Sequence, residues 1–254
     1  MQPPPPLTAL SELPAQLVDS GWAVLDTAAL AQQTCVTPAH FRTWAPLWHD
    51  LPPDPHLRDG GRYRRRRHGC FIVLGDRVQS VPHRAHWQPV EYNALHGGIE
   101  RWFEPLPTAL AGDVDFGALL AGLARVADGM RPAPSEVSAA WFVEAHPFRI
   151  DTTDGIGRPT PEGAHRDGVD LVAVLLVDRH NVKGGETRVF DAQGPQGVRF
   201  TLREPFSVLL LDDERVIHES TPIQPVDASA PAWRDTLVLT FRRGGFQGPP
   251  RVSA

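Results

Sequence analysis

The second half of the chain is organised as a series of short strand-like segments, and this pattern limits the possible folds more than any other feature. Each segment is rich in apolar and β-branched residues, and Gly, Pro or Asp residues separate it from the next. Many short strands joined by turns at close intervals are typical of a β-sandwich or a jelly-roll barrel. The predicted strands cover residues 137–150, 171–177, 187–190, 198–202, 206–211, 216–218 and 237–241.

The first half of the chain contains the predicted helices. Apolar spacing indicates a helix in residues 7–18 that Pro14 makes short or broken. Thr37 and Pro38 have the pattern of an N-cap followed by a first-turn proline, which predicts a helix to Trp48. Residues 116–130 are amphipathic at helical spacing. We therefore predict a mainly β protein with flanking helices, in which a helical N-terminal half packs on a barrel.

Two further strand features lie in this first half. Residues 21–26 read as a short strand, and residues 71–74 and 78–81 read as a hairpin with its turn at Gly75 and Asp76. The chain shows no internal repeat and no linker, so a single domain over residues 1–254 is expected. Within it we expect a flexible Pro-rich tail (1–6), the N-terminal helices and hairpin (7–134) and the β core with the metal motif (135–245).

Composition and charge exclude several classes of protein. The net charge is −5, so no global field attracts nucleic acid or anionic lipid, and we expect neither as a partner. The two cysteines are not in a CxxC pattern, which suits a reducing compartment. No segment resembles a signal peptide or a membrane span. These features together favour a cytoplasmic protein, and they leave the oligomeric state open.

The run of arginines at residues 62–67 is the one strong cluster of charge. An exposed strand face is one explanation for such a run, and nucleic-acid binding is a weaker one in an acidic chain. Because side chains alternate along a strand, the run also permits Arg64 and Arg66 to point inward and bind a substrate carboxylate. On the strand at 137–150, Glu144 and His146 are candidates for lining the same pocket, with cross-strand packing or surface exposure as the alternatives.

Three residues of the β half are candidate metal ligands. His165 and Asp167 lie two apart on an extended segment and can therefore face one ion, and His218 ends a later strand after a polar turn. Two histidines and one carboxylate on one face of an octahedron leave three positions open, which suits non-haem Fe(II). Zinc is the chemical competitor, although the helical H-E-x-x-H spacing of many hydrolytic zinc sites is absent from the sequence.

Two features near this motif separate the iron and zinc hypotheses. Arg234 opens the last apolar strand, where its planar guanidinium matches a carboxylate in two-pronged fashion. Gly184 and Gly185 are expected to form a tight hairpin between two barrel strands, because glycine tolerates positive φ. Arg242 or Arg243 takes the carboxylate role instead if the last strand is shifted in register.

The ordered motifs G-x-H-x-D-G, GGET, DD-x-x-V-x-H and R-D-x-L-V-x-T-F resemble those of the 2-oxoglutarate- and Fe(II)-dependent dioxygenases. The match covers about residues 160–242, and it is similar in particular to the bacterial branch that contains isoleucine dioxygenase and its biofilm-associated relatives. The resemblance implies a double-stranded β-helix of the jelly-roll, cupin-like type. It also implies a metal at His165, Asp167 and His218, and 2-oxoglutarate bound through Arg234, with no catalytic residue beyond the metal centre.

The resemblance further implies Fe(II), 2-oxoglutarate and O₂ as cofactor and cosubstrates, with ascorbate as a candidate reductant. The expected reaction is hydroxylation of a small-molecule substrate, first of all a free aliphatic L-amino acid. Hydroxylation of a peptide or another metabolite by the same chemistry is the alternative enzyme hypothesis. A non-catalytic barrel that binds a metal or a small ligand is the alternative from a different class.

Overall fold

The computed structural model of the protein describes residues 3–93, 95–131 and 140–249. Its first part alternates helices with strands. The elements are α1 (Leu13–Ser20), β1 (Trp22–Leu25), α2 (Thr27–Thr34), α3 (Pro38–Trp44) with a 3₁₀ turn (Ala45–Trp48), β2 (Arg64–Arg66), β3 (Gly69–Leu74), β4 (Arg77–Ser80), α4 (Thr108–Ala111) and α5 (Val114–Met130).

The second part is built of strands. The predicted strand at 137–150 begins at Trp141, and its residues 137–139 lie outside the described ranges. The strands are β5 (Trp141–Asp151), β6 (Leu171–His180), β7 (Val182–Gly184), β8 (Thr187–Asp191), β9 (Gly197–Phe200), β10 (Val208–Asp212), β11 (Val216–Ser220), β12 (Ile223–Pro225) and β13 (Trp233–Arg242).

Local capping chemistry explains where the N-terminal helices begin. Pro14 lies in the first turn of α1, where its missing N–H costs nothing, so it starts the helix instead of breaking it. Thr37 caps α3 as predicted, since its side chain accepts a hydrogen bond from the backbone N–H of His40. The helix α2 was not predicted, although Asp26 caps it by accepting a hydrogen bond of 2.7 Å from the N–H of Ala29.

A large antiparallel sheet organises the molecule, and its strands come from both halves of the chain. Its eight strands follow the order β1-β10-β6-β13-β5-β3-β4, with β2 also paired to β5. The mainly β prediction is confirmed, but two details of it are corrected. The first half supplies strands as well as helices, since β1, β2, β3 and β4 belong to this sheet. Within the described residues the strands form open sheets and do not close into a barrel.

The two faces of the large sheet have different roles because residues alternate along each strand. On β5 and β13 one face is apolar, and it packs against the helices in the main core. Burial of each Leu or Phe side chain there stabilises the fold by about 1.5–3 kcal/mol. The opposite face of the same two strands is partly polar and lines a cavity. The core residues are Val143, Ala145, Leu237, Leu239 and Phe241, and the cavity residues are Glu144, His146, Phe148, Ile150, Arg234, Thr236, Val238 and Thr240.

Two smaller sheets cover part of the second face. One has the order β11-β8-β9 and the other pairs β12 with β7. A second apolar cluster lies between these strands and the large sheet, and it includes Val172, Val189 and Phe200. None of the helices in the described ranges has both the length and the apolar character to cross a bilayer.

The glycine pair of the GGET motif connects these two small sheets. Gly184 and Gly185 have φ values of 81° and 63°, as expected for glycines in a tight turn. The predicted hairpin is wrong, however, because β7 pairs with β12 while β8 pairs with β11 and β9. The turn passes so close to the neighbouring chain that a Cβ on Gly184 would lie 2.1 Å from the carbonyl oxygen of Pro222.

Candidate metal centre and substrate pocket

The structure brings the three predicted metal ligands together. The backbones of His165 and His218 form an antiparallel bridge with two N–H···O hydrogen bonds of 3.0 Å, which places their rings 4.6 Å apart. Asp167 faces both rings, because its Oδ1 lies 3.8 Å from His165 Nε2 and its Oδ2 lies 3.9 Å from His218 Nε2. One donor atom from each of the three residues lies within 4.8 Å of the others.

Neighbouring groups orient these side chains. The Nδ1–H of His165 donates a hydrogen bond of 2.9 Å to the carbonyl oxygen of Gly163, which leaves the Nε2 lone pair directed at Asp167. The Nε2 of Gln88 donates to Asp167 Oδ1 at 2.9 Å. Hydrogen bonds of this kind hold metal ligands in the orientation that an ion requires.

The chemistry of the three donors fits an Fe(II) ion. Burial and the nearby ring of His165 hold the pKa of His218 well below its usual value, so the ring is in the neutral form that binds metals. Burial alone would lower the pKa of His165, but the carboxylates of Asp167 and Glu162 raise it overall. Nδ1 of His218 is buried without a hydrogen-bond partner among the described residues. The two imidazoles and one carboxylate match the facial arrangement that leaves positions open on iron.

Arg234 lies at the start of β13 as a buried cation. It is 3% exposed, forms no salt bridge within the described part of the chain, and its Nε has no hydrogen-bond partner there. Burial and the adjacent cation of Arg179 lower the pKa of Arg234 to about 10. A buried guanidinium without a counterion has the charge and the N–H groups to pair with an anion. Arg242 and Arg243 do not line the cavity: Arg242 donates to the carbonyl of Gly245, and Arg243 pairs with Asp128.

The predicted metal ligands, Arg234 and the predicted substrate-binding residues all line one cavity of about 120 Å³. It extends from the metal group across the polar face of the large sheet to β2. Aliphatic side chains of the sheet form part of its wall. The residues predicted from sequence are His165, Asp167, His218, Arg234, Arg64, Arg66, Glu144 and His146, and the aliphatic ones include Ile150, Val174 and Val238.

The arginine strand β2 alternates between the cavity and the outside. Arg64 and Arg66 are 5% and 4% exposed, so the solvated-face explanation does not apply to them. Arg64 forms a buried salt bridge of 2.7 Å with Asp54. The guanidinium carbon of Arg66 lies 3.9 Å and 4.3 Å from the ring centroids of Phe103 and Phe148. Stacked between two rings, this guanidinium keeps its in-plane N–H groups for polar partners.

Glu144 is surrounded by imidazoles. Its carboxylate lies 2.8 Å from His86 Nδ1, 3.5 Å from His68 Nε2 and 3.7 Å from His146 Nε2. Although burial alone would raise the pKa of Glu144, these three rings hold it well below its usual value. Arg66 in turn donates a hydrogen bond of 2.7 Å to His146 Nδ1. Glu144 and the three histidines are close enough to hold a metal. However, hydrogen bonds to Glu144 already use ring nitrogens that a metal would need.

Other residues of the cavity were not singled out from the sequence. His86, Gln88, Asn93 and Arg101 come from the loops between β4 and α4, and Glu162 comes from the turn before His165. For the loop residues, the sequence signal is the abundance of histidine and aromatic residues at 83–107. That region supplies part of the cavity wall.

Comparison with known proteins places the chain in a family. The model of the 2OG-Fe dioxygenase family matches residues 45–240. A curated relative, the 3(1)-hydroxy-L-isoleucine 4-dioxygenase of Pantoea ananatis (strain AJ13355), is 26% identical over 160 residues. That alignment spans 61% of this chain and only 63% of the relative's length.

Solved structures share the fold of this chain. A bsmA homolog from Methylobium petroleophilum PM1 is 55% identical and superposes with a TM-score of 0.90, covering 96% of this chain and 97% of that one. IDO from Bacillus thuringiensis is 16% identical with a TM-score of 0.69, covering 94% of this chain and 100% of that one, and this likeness shows the fold alone. Since the family model extends from the 3₁₀ turn before β2 into β13, the chain belongs to the 2OG-Fe dioxygenase family.

Proposed function

We propose that the protein is an Fe(II)- and 2-oxoglutarate-dependent dioxygenase that hydroxylates a free aliphatic L-amino acid. His165, Asp167 and His218 hold the iron, and Arg234 binds the far carboxylate of 2-oxoglutarate. The observation that carries the proposal is a group of two imidazoles and one carboxylate in the same cavity as a buried guanidinium that has no counterion among the described residues. Membership of the 2OG-Fe dioxygenase family supports it.

The bound iron, with 2-oxoglutarate and O₂, supplies the oxidising chemistry, in which 2-oxoglutarate, O₂ and a C–H group give succinate, CO₂ and a C–OH group. The protein's residues position the reactants and exclude water. Arg234 holds the cosubstrate through paired N–H groups that a lysine would not offer in the same geometry. Ascorbate acts as a reductant that keeps the iron ferrous.

Arg64 and Arg66 are the proposed partners of the substrate carboxylate. Both are buried on the cavity side of β2, and each keeps a nitrogen without a hydrogen-bond partner among the described residues. Glu144 and His146 form the polar wall next to them, and His146 orients the Arg66 guanidinium through its 2.7 Å hydrogen bond. The aliphatic side chains of Ile150, Val174 and Val238 suit an apolar substrate side chain. The activity in the name of the Pantoea relative, on a hydroxylated isoleucine, supports the choice of amino acids.

An anaerobic spectrum tests the cosubstrate site. Fe(II) and then 2-oxoglutarate are added to the metal-free protein under nitrogen, and the visible charge-transfer band of the chelate is recorded. We expect the band in the wild type, with an apparent affinity for 2-oxoglutarate at least about 30-fold weaker in Arg234→Ala. Arg242→Ala is the matched control, because this arginine lies outside the cavity. If iron binds and no band forms, the dioxygenase proposal fails.

A substrate screen tests the reaction. Succinate formation is measured with free L-amino acids and with short peptides. Succinate that rises only with free aliphatic amino acids supports the proposal, whereas stimulation by peptides alone indicates a peptide hydroxylase. A charge-transfer band without substrate-dependent succinate would instead favour a non-catalytic ligand-binding protein.

A further inference from the structure

Three carboxylates line the cavity, and in only one of them does a buried oxygen lack a hydrogen-bond partner among the described residues. Asp167 faces the two imidazoles of the metal group, and Glu144 is surrounded by three others. Glu162 has one oxygen, Oε2, that is buried and has no hydrogen-bond partner in the described ranges. We propose that Glu162 binds an ammonium group of the substrate. This inference rests on the proposed function, because it concerns the substrate of the same site.

Glu162 lies beside the metal group but does not belong to it. Its Oε1 is 3.6 Å from Nε2 of His165. The group of donor atoms that lie within 4.8 Å of one another contains His165, Asp167 and His218 without Glu162. The carboxylate is therefore placed to contact a molecule bound next to the iron, and the ion itself has its ligands without it.

The surroundings of Glu162 favour binding of a cationic group of the substrate. Its side chain is 12% exposed, and a carboxylate removed from water costs free energy unless a cation or donors replace the lost hydration. Among the described residues no arginine or lysine lies within salt-bridge distance of it. Arg64 is already paired with Asp54, and Arg101 donates to Gln88 at 2.8 Å. A substrate ammonium supplies a positive charge and up to three N–H donors, one of which Oε2 can accept.

The same cavity thus offers opposite charges for a zwitterion. The guanidinium groups of Arg64 and Arg66 line it on β2, and Glu162 lines it on the turn before the metal motif. A substrate without an ammonium group would leave Oε2 of Glu162 without an N–H donor. A substrate that pairs with both the two guanidinium groups and the Glu162 carboxylate carries a carboxylate and a primary ammonium. The ammonium-bearing end then lies next to His165.

The test uses the full-length protein loaded with Fe(II) and 2-oxoglutarate. The charge-transfer band is recorded first, since its absence would mean that the proposed function has failed before substrate recognition is examined. Succinate formation is then measured with the twenty common L-amino acids and with the matching 2-hydroxy acids, which replace the ammonium by a hydroxyl group. The variants are Glu162→Gln, which keeps the shape and removes the charge, and Glu104→Gln as a control at an exposed position outside the cavity.

In the wild type and in Glu104→Gln we expect at least one amino acid to stimulate succinate formation. The kcat/KM for the matching 2-hydroxy acid should be lower by about 30-fold or more. In Glu162→Gln the KM for that amino acid rises by about the same factor, and the preference over the hydroxy acid disappears. Three results would overturn the inference. In the first, the band forms but no amino acid stimulates turnover. In the second, Glu162→Gln still prefers the amino acid over the hydroxy acid, as it would if Oε2 bound only water. In the third, Glu162→Gln weakens iron binding about tenfold, which would assign Glu162 to the metal centre.

Discussion

Asp213 accepts a hydrogen bond of 3.0 Å from the backbone N–H of Asp167, and through it the end of one strand holds the metal motif in place. The same carboxylate accepts from the N–H groups of Gly168 and Val169 at 2.7 Å and 3.1 Å. Three consecutive donors on one side chain fix the backbone that carries a metal ligand. Burial and the charge of Asp167 raise the pKa of Asp213 to about 7.

Replacing Asp213 with asparagine should weaken iron binding. The amide oxygen can replace Oδ2, which accepts from all three N–H groups, but the NH₂ group then takes the place of Oδ1, 3.0 Å from the backbone nitrogen of Asp167. This contact between two donors and the loss of the negative charge weaken the support of the Asp167 loop. We expect a loss of Fe(II) affinity of about 10- to 100-fold, as for other residues that orient metal ligands. Titration of the metal-free protein with Fe(II) under nitrogen measures it. Glu214→Gln, at a side chain that is 69% exposed, is the control, and equal affinity in both variants would contradict the role of Asp213.

Gly184→Ala should destabilise the protein much more than Gly155→Ala. Both glycines have a positive φ, 81° and 83°, so both alanines experience a similar backbone strain of about 1–2 kcal/mol. At Gly155 nothing lies within 4 Å of the added Cβ, whereas at Gly184 it would lie 2.1 Å from the carbonyl oxygen of Pro222. This overlap adds about 1–3 kcal/mol to the loss of unfolding free energy. Urea unfolding of both variants measures the difference, and equal losses would show that the turn moves freely.

The pH dependence of stability should contain a contribution from His86. Burial lowers its pKa from 6.5 to about 4. In the unfolded chain the ring takes up a proton as the pH falls through 6.5, while the folded protein resists protonation until about pH 4. The unfolding free energy is therefore greatest above pH 6.5 and falls below it, by about 2 kcal/mol from this residue between pH 7 and pH 5.

Urea unfolding of the wild type and of His86→Asn at pH 7 and pH 5 checks this contribution. Asparagine retains a donor toward Glu144 and does not titrate, so the loss between the two pH values should be smaller in the variant by about 2 kcal/mol. An identical pH dependence in the two proteins would mean that the pKa of His86 in the folded state stays close to its unfolded value of 6.5.

The two cysteines should differ in reactivity. Cys35 is exposed, whereas Cys70 is 5% exposed and its pKa is raised by burial and by the nearby Glu144 carboxylate. Because the thiolate is the reactive form, Cys70 should not react in the folded protein. Treatment with N-ethylmaleimide should add one label to the native protein and two in denaturant, as read from the intact mass. Native Cys35→Ser should then remain unlabelled, and a label on it would place Cys70 within reach of solvent.

Local sequence patterns were sufficient for the features that depend on neighbouring residues. The helix α5, the hairpin of β3 and β4 and the strand β6 follow from periodicity and turn residues, which act over a few positions. The alternation along β2 also predicted that Arg64 and Arg66 share a face. The ordered motifs indicated the 2-oxoglutarate- and Fe(II)-dependent dioxygenases, and the family match confirms that assignment.

Only the tertiary structure decided which distant residues meet and which face each strand turns to the cavity. Spacing alone did not distinguish a hairpin at Gly184 from a crossing between two sheets, because the partner strands β12 and β11 lie far along the chain. The unpaired oxygen of Glu162 and the hydrogen bonds from Asp167, Gly168 and Val169 to Asp213 likewise became visible only in three dimensions. Local sequence determines backbone conformation and side-chain periodicity, whereas burial, pairing and electrostatic partners arise from contacts between segments that only the folded chain brings together.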